Sequence, residues 1–400
     1  MSKGKEADAA NAISFVQYEL KEILSSFVNG GFSAGGYALY PALKGVSKHL
    51  AERLGSLLSF IKKNEESINF RNSLEKYENI SKGLNNEKNF AKLLSELYRD
   101  FDKNKPAAKK KAVGIKPNVL DDNDYKSDYL KPVLKLKEFS GLRLREYIAG
   151  AYVHGSLATL DYIVGWSDFD TLVVVSRHAI ADFKRLLELR DLFYASRKFL
   201  CEIDPLQHHG HMVFTEYDMD YYCQTFFPLV LFRYSKSLLG PKKLEFELRD
   251  CTNENIAKFN WFADYFKSLN GNSKMGSYNA KFLLHAVTLF PTLYLQAKNI
   301  HVYKKFSFGI ARKDFKPKEW DVIDYVSSLR LNWKSRSNLN PVTSYAKINP
   351  LLAYQLNARL SDMNSNIIKL NGISIKKIVD GMKVLAGSAG RKIQLNRARP

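Results

Sequence analysis

The chain has 400 residues, 45% of them hydrophobic and 13% aromatic, more than one core usually holds and enough apolar material for several packed units. Sixty-one Lys and Arg against 41 Asp and Glu leave a net charge of +20, which suits nucleotides, RNA, DNA or anionic surfaces as partners, with plain solubility as the alternative. No run approaches the roughly 20 apolar residues of a membrane crossing, the N-terminus lacks the apolar stretch of a secretory signal, and Cys201, Cys223 and Cys251 have no CxxC spacing, so a membrane protein, a disulfide framework and a zinc ribbon are all disfavoured and a cytoplasmic setting is expected.

Residues 9–100 place apolar side chains at helical intervals, as in Ile13, Val16, Leu20, Ile23 and Leu24 and again in Leu50, Leu54, Leu57, Leu58 and Ile61. A helical N-terminal region, 1–101, is expected. Within it NGGFSAGGYALYP, residues 29–41, has no strand before it and no Gly-Lys-Ser/Thr after it, so it reads as a turn rather than a phosphate loop. Residues 102–118 combine Pro, Gly and six lysines, Lys109, Lys110 and Lys111 among them, and read as a solvated basic linker.

From 119 to 235 the pattern turns α/β. REYIAGAYVHG and DTLVVVS read as strands, the second buried on both faces, and residues 179–199 as a helix. LCEIDPL then reads as a third strand and GHMVFTEYDM as a fourth. Residues 236–390 read as a helical C-terminal domain, with Pro291 expected to kink or break the stretch 280–300 and Pro317 near a helix start. The last residues, 391–400, read as a loose basic tail.

The chemistry sits at the entry to the second strand, in HGSLATLDYIVGWSDFDTLVVV. Asp168 and Asp170 alternate on an extended segment and so project from one face, where paired carboxylates bind hard cations. Gly155 and Ser156 supply a turn whose backbone N–H groups and hydroxyl can approach a phosphate closely, because glycine has no Cβ. Alone, Asp-x-Asp would read as a solvated turn; with the Gly-Ser turn upstream it describes phosphoryl or nucleotidyl transfer.

These residues resemble the nucleotidyltransferase superfamily of the DNA polymerase β-like fold, whose pattern is a hydrophobic residue, Gly-Ser, an interval of about ten residues, then Asp-hydrophobic-Asp-hydrophobic. Here it reads His154-Gly155-Ser156, eleven residues, then Asp168-Phe169-Asp170, departing from the pattern at His154 and at Thr171. The stretch is most similar to antibiotic-modifying and small bacterial nucleotidyltransferases, over about residues 140–225.

The resemblance implies an α/β (α+β) core with a mixed sheet, flanked here by helical N- and C-terminal regions. It also implies Mg²⁺ or Mn²⁺ held by Asp168, Asp170 and a third carboxylate, for which Asp204 is preferred over Glu202, Glu216 and Asp218. Asp204 would ligate the metal that activates the acceptor hydroxyl or take that hydroxyl's proton. Gly155 and Ser156 would hold the NTP, and Lys304 and Lys305, with Lys281 and Lys298, are candidates for its triphosphate. Among His208, His209 and His211 the spacing is not that of zinc folds; a polar turn, or a histidine near the nucleotide, suits them better.

The expected activity is transfer of a nucleoside monophosphate from an NTP to an acceptor hydroxyl, with release of pyrophosphate. RNA or another polyanion is the favoured acceptor, a small molecule or a protein side chain the alternative. A non-catalytic nucleotide- or RNA-binding module is the rival of another class. The oligomeric state is left open.

Overall fold

A computed structural model describes residues 3–30, 44–80, 83–107, 112–204, 207, 209–241, 243–334 and 366–397. Residues 31–41 of the turn expected at 29–41, together with Lys109–Lys111 and His208, lie outside them.

Four helices open the chain, α1 (Lys3–Val28), α2 (Lys48–Lys63), α3 (Arg71–Ile80) and α4 (Glu87–Asn104). Ser47 and Asn86 start the second and fourth by accepting backbone N–H groups of their first turns, which would otherwise lack partners. The basic stretch read as a linker is not all loop: α4 runs to Asn104, and strands β1 (Ala112–Ile115) and β2 (Asn118–Val119) follow. The chain continues through α5 (Lys131–Phe139), β3 (Ile148–Val153), the short α6 (Gly155–Thr159) and β4 (Thr171–Val175). Then come α7 (Arg177–Ala181), α8 (Phe183–Ile203), β5 (Met212–Thr215), α9 (Glu216–Met219) and α10 (Leu229–Phe232).

Strands β6 (Lys236–Leu239) and β7 (Leu244–Glu247) lie past residue 235, where a helical domain was expected; both are short and partly polar, which hid them. Helices α11 (Thr252–Ser268), α12 (Ser277–Ala297), α13 (Lys304–Arg312), α14 (Pro317–Leu331), α15 (Asn366–Leu370) and α16 (Ile375–Arg397) complete the chain. Helix α16 carries on through Arg391 to Arg397, so most of the expected loose tail is helical. Helix α12 passes through Pro291 unbroken: Val287, Phe290, Tyr294 and Leu295 around it are fully buried, and their packing outweighs one missing hydrogen bond.

The result is a mixed α/β fold around a five-stranded mixed sheet of order β2-β6-β3-β4-β5, with β1 and β7 forming a separate antiparallel pair. Strand alternation assigns the two faces. Ala151, Val153, Val173, Val175 and Val213 pack into one core with the N-terminal helices, while Tyr152, Leu172, Val174 and Phe214 pack into another with β1, β7 and Phe232. The strand TLVVV is buried along its whole length, as its composition predicts. A third core unites α11, α12, α14 and α16, and Trp166, from the loop before β4, belongs to it. Among the described residues no helix is long and apolar enough to cross a membrane.

The described part of LCEIDPL, Leu200 to Asp204, is not a strand. Helix α8 continues to Ile203, and Asp204 caps it, its N–H bonded to Leu200 O at 3.1 Å. Cys201 and Ile203 alternate in sequence, yet Phe199, Leu200 and Arg197 are buried beside them, a pattern that fits the end of a helix enclosed by packing. The crossover still delivers the chain to β5, parallel to β4, as a helical connection between parallel strands does.

His211 is part of this framework. It is 3% exposed, with Nδ1 2.7 Å from Thr171 Oγ1 and Nε2 2.7 Å from Ser196 Oγ, tying β4 to α8 at the mouth of β5. Burial, with Arg197 and His209 nearby, pushes its pKa down to about 3. The unfolded chain takes up this proton near pH 6.5 and the folded chain does not, so the unfolded state binds more protons between those values and stability falls as pH falls. By pH 4 the expected loss from His211 is on the order of 3 kcal/mol. Urea unfolding across pH 4–7 should show a shallower acid slope in His211→Asn than in wild type; equal slopes would remove His211 as the source.

Candidate functional site

Three chain connections meet at one end of the sheet. β3 and β4 are antiparallel with Val153 opposite Thr171, so the residues leaving β3 face those entering β4, and His154 N donates to Asp170 O at 3.0 Å. β5 is parallel to β4 with Met212 opposite Leu172, so Asp204, Gln207 and residues 209–211 arrive at the same rim. This register brings Gly155 and Ser156, Asp168 and Asp170, and Asp204 and His209 together.

Gly155 has φ +69°, and a Cβ there would overlap the Asp170 carboxylate, so both backbone conformation and space require glycine. Gly155→Ala should cost about 1–2 kcal/mol in stability and displace Asp170, which unfolding curves and Mn²⁺ affinity together would reveal. Ser156 is partly buried in the same turn.

Gln207, 1% exposed, accepts Phe169 N–H through Oε1 at 3.0 Å and donates to Phe169 O through Nε2 at 3.2 Å. It grips the backbone between the two aspartates as a neighbouring strand would, and so fixes where Asp168 and Asp170 point.

Lys281, from α12, is 1% exposed and bridges two carboxylates: Nζ lies 2.6 Å from Asp204 Oδ2 and 3.2 Å from Asp168 Oδ1. Burial opposes its charge, but Asp204 and Asp168 outweigh burial and hold the ammonium above the usual lysine range. Two carboxylates then share one cation. Burial and the remaining negative charge of Asp168 push the Asp204 carboxyl up to about 7 against the pull of Lys281.

Asp170 is less enclosed and faces His209, whose Nε2 is 3.1 Å from Asp170 Oδ1 and 4.0 Å from Asp168 Oδ2. Burial raises the Asp170 carboxyl, but the His209 bond and the nearby His154 prevail and hold it below its usual range. His209 correspondingly rises to about 9: burial works against its charge, and the hydrogen bond and charge of Asp170 prevail. On the far side His285 Nδ1 lies 3.5 Å from Asp168 Oδ2, its ring stacked on Trp166 at 4.6 Å.

The alternative third carboxylates lie elsewhere. Glu202 pairs with Lys135 at 2.7 Å, Glu216 accepts Arg177 N–H, and Asp218 caps α9 and takes a bond from Gln17. Of the lysines, Lys298 pairs with Asp314 and the exposed Lys305 with Asp161, whereas Lys304 is half-buried and donates to Thr288 Oγ1 at 3.0 Å. Burial and nearby Arg330 push Lys304 down to about 8, with Asp170 and Asp168 pulling the other way. Among the described residues no carboxylate pairs with Lys304 or Arg330, and the buried Nε of Arg330 has no partner.

Sequence reasoning missed the link between Lys281 and the aspartates, and with it His285. A signal was present: Lys281 and His285 stand i, i+4 on the largely apolar stretch KFLLHAVTLF of α12, and one face of the helix carries both to Asp168.

Asp168 and Asp170 are the residues that could hold a hard divalent cation. Their oxygens already flank a positively disposed ring nitrogen, and magnesium commonly takes one or two carboxylates and completes its shell with water and substrate phosphates. Among the described residues no group of three or more His, Cys, Asp or Glu is arranged to hold a metal ion. No family model matches the chain, and neither a curated protein nor a solved structure matches it.

Proposed function

We propose that the chain is a nucleotidyltransferase that moves a nucleoside monophosphate from an NTP to an acceptor hydroxyl. The observation that carries this reading is the meeting of the Gly155-Ser156 turn with Asp168 and Asp170 at one sheet end, so close that a side chain at 155 would strike Asp170. An aspartate pair is a poor neighbour for phosphate unless a cation lies between them, and that combination is what phosphoryl chemistry uses.

In this reading a bound Mg²⁺ or Mn²⁺ would supply charge neutralisation on the triphosphate and would be held by Asp168 and Asp170. The backbone N–H groups around Gly155 and the Ser156 hydroxyl hold phosphate oxygens. Lys304, close enough to Arg330, Asp170 and Asp168 for all three to shift its pKa, and Arg330, both without carboxylate partners among the described residues, would supply positive charge to the leaving pyrophosphate. The acceptor oxygen forms its bond to the α-phosphorus, the bond from that phosphorus to the bridging oxygen breaks, pyrophosphate leaves, and the hydroxyl proton passes to solvent or a site carboxylate.

The charge of +20 favours RNA or another polyanion as acceptor over a small molecule or a protein side chain. Incubation with each α-labelled NTP, Mg²⁺ or Mn²⁺, and separate pools of RNA, metabolites and protein tests activity and acceptor class together. No labelled product from any pool, or label retained only as bound NTP, would leave a nucleotide-binding module instead.

A further inference from the structure

We propose that Lys281 is a built-in cation that takes the place of a second metal ion, so that the site binds a single divalent cation, between Asp168 and Asp170, with Asp204 serving as a positioning residue. The inference rests on the nucleotidyltransferase reading and specifies how its charge is arranged.

The geometry carries it. Of the oxygens available to a second ion, Asp204 Oδ2 and Asp168 Oδ1 both already accept from the Lys281 ammonium, at 2.6 and 3.2 Å. Lys281 cannot swing away to free them. It is 1% exposed, and its neighbours on α12, Ala280, Leu283 and Leu284, are fully buried, so a retreating ammonium would enter an apolar core unpaired. Asp204 is 2% exposed at the end of α8, its own N–H bonded to Leu200 O and its carbonyl accepting from Gln207 N at 2.9 Å, so it has no room to turn outward.

Asp170 is different in kind. Its side chain is 26% exposed, its neighbour His209 is 24% exposed, and a histidine on the loop before β5 can yield to an ion where a core lysine cannot. On Asp168 and Asp170, the oxygens that Lys281 does not hold include Asp170 Oδ1, 3.1 Å from His209 Nε2, and Asp168 Oδ2, 4.0 Å from His209 Nε2 and 3.5 Å from His285 Nδ1, so both face imidazoles rather than an ammonium. A monovalent ammonium on Asp168 and Asp204 also leaves less positive charge on the acceptor side than a divalent ion would.

Counting bound ions tests this without any turnover. The full chain is titrated with Mn²⁺ in the presence of saturating α,β-methylene ATP, and free Mn²⁺ is followed by electron paramagnetic resonance. One tight Mn²⁺ per chain is expected. Two would overturn the inference and leave the nucleotidyltransferase reading standing; none would overturn both.

Asp170→Asn should weaken the ion by about tenfold or more, as loss of a ligand requires, whereas Asp204→Asn should weaken it by less than about threefold. Equal losses would make Asp204 a ligand and sink the proposal. Lys281→Gln should admit a second Mn²⁺ that also raises the unfolding midpoint, and Lys281→Arg, which keeps the charge, should bind one. A count of one in a folded Lys281→Gln would overturn the assignment of Lys281. If that variant does not fold, the wild-type count and the Asp170–Asp204 comparison decide.

Discussion

Asp170→Asn is expected to lower nucleotidyl transfer by at least about a thousandfold, some 4 kcal/mol of barrier, while the unfolding midpoint stays near that of wild type. Asn keeps the shape of the side chain and an oxygen that can accept from His209, but it deletes the charge that would hold the cation. Asp170 is the cleaner of the two aspartates to test. Its side chain is partly exposed and no lysine pairs with it among the described residues, whereas Asp168 is 6% exposed and shares Lys281 with Asp204. Asp168→Asn should abolish transfer to the same degree and also lower stability, because it withdraws half of the Lys281 pairing. Initial rates with labelled NTP beside urea unfolding curves separate the two effects. Wild-type activity in Asp170→Asn would end the reading of this rim as a transfer site.

What the sequence disclosed about this rim followed from short-range patterns. TLVVV could only be a strand buried on both faces, and the glycine before Ser156 and the alternation of Asp168 and Asp170 needed no knowledge of distant contacts. Asp204 was chosen for its nearness in sequence to a crossover; it does reach Asp168, but from the end of a helix, because period-2 and period-3.6 patterns are indistinguishable over the few residues of CEID. The strands β6 and β7 escaped notice for another reason. LEFE alternates over only four residues, and its pairing with AVGI joins segments more than 120 positions apart, which no local window contains.

Lys281 shows the same limit from the energetic side. A lysine in AKFLLHAVTLF reads as the solvated edge of an amphipathic helix, the usual place for that residue. What makes it a core residue is a pair of carboxylates from segments 113 and 77 positions earlier. A buried charge tolerates no other arrangement, so its placement is fixed by tertiary structure and is invisible without it.

The largest stability effect should therefore come from Lys281→Met. Methionine fills much of the same volume, so the packing of α12 against its core is conserved, but the Asp168 and Asp204 carboxylates lose their shared counterion in a place water barely reaches. Stripping one partner from a buried ion pair costs about 3–5 kcal/mol, because the charge left behind must be protonated or solvated at the expense of the fold. The loss should shrink at low pH, where an orphaned carboxyl takes up a proton and becomes neutral. Adding Asp204→Asn to Lys281→Met removes one orphaned charge and should recover a large part of the loss, leaving the double variant more stable than Lys281→Met alone. A double-mutant cycle in urea, with wild type, both single variants and the double, measures this coupling directly. Additive losses would mean that Lys281 and Asp204 do not support one another, and the rim would then lack the fixed internal cation on which its charge balance depends.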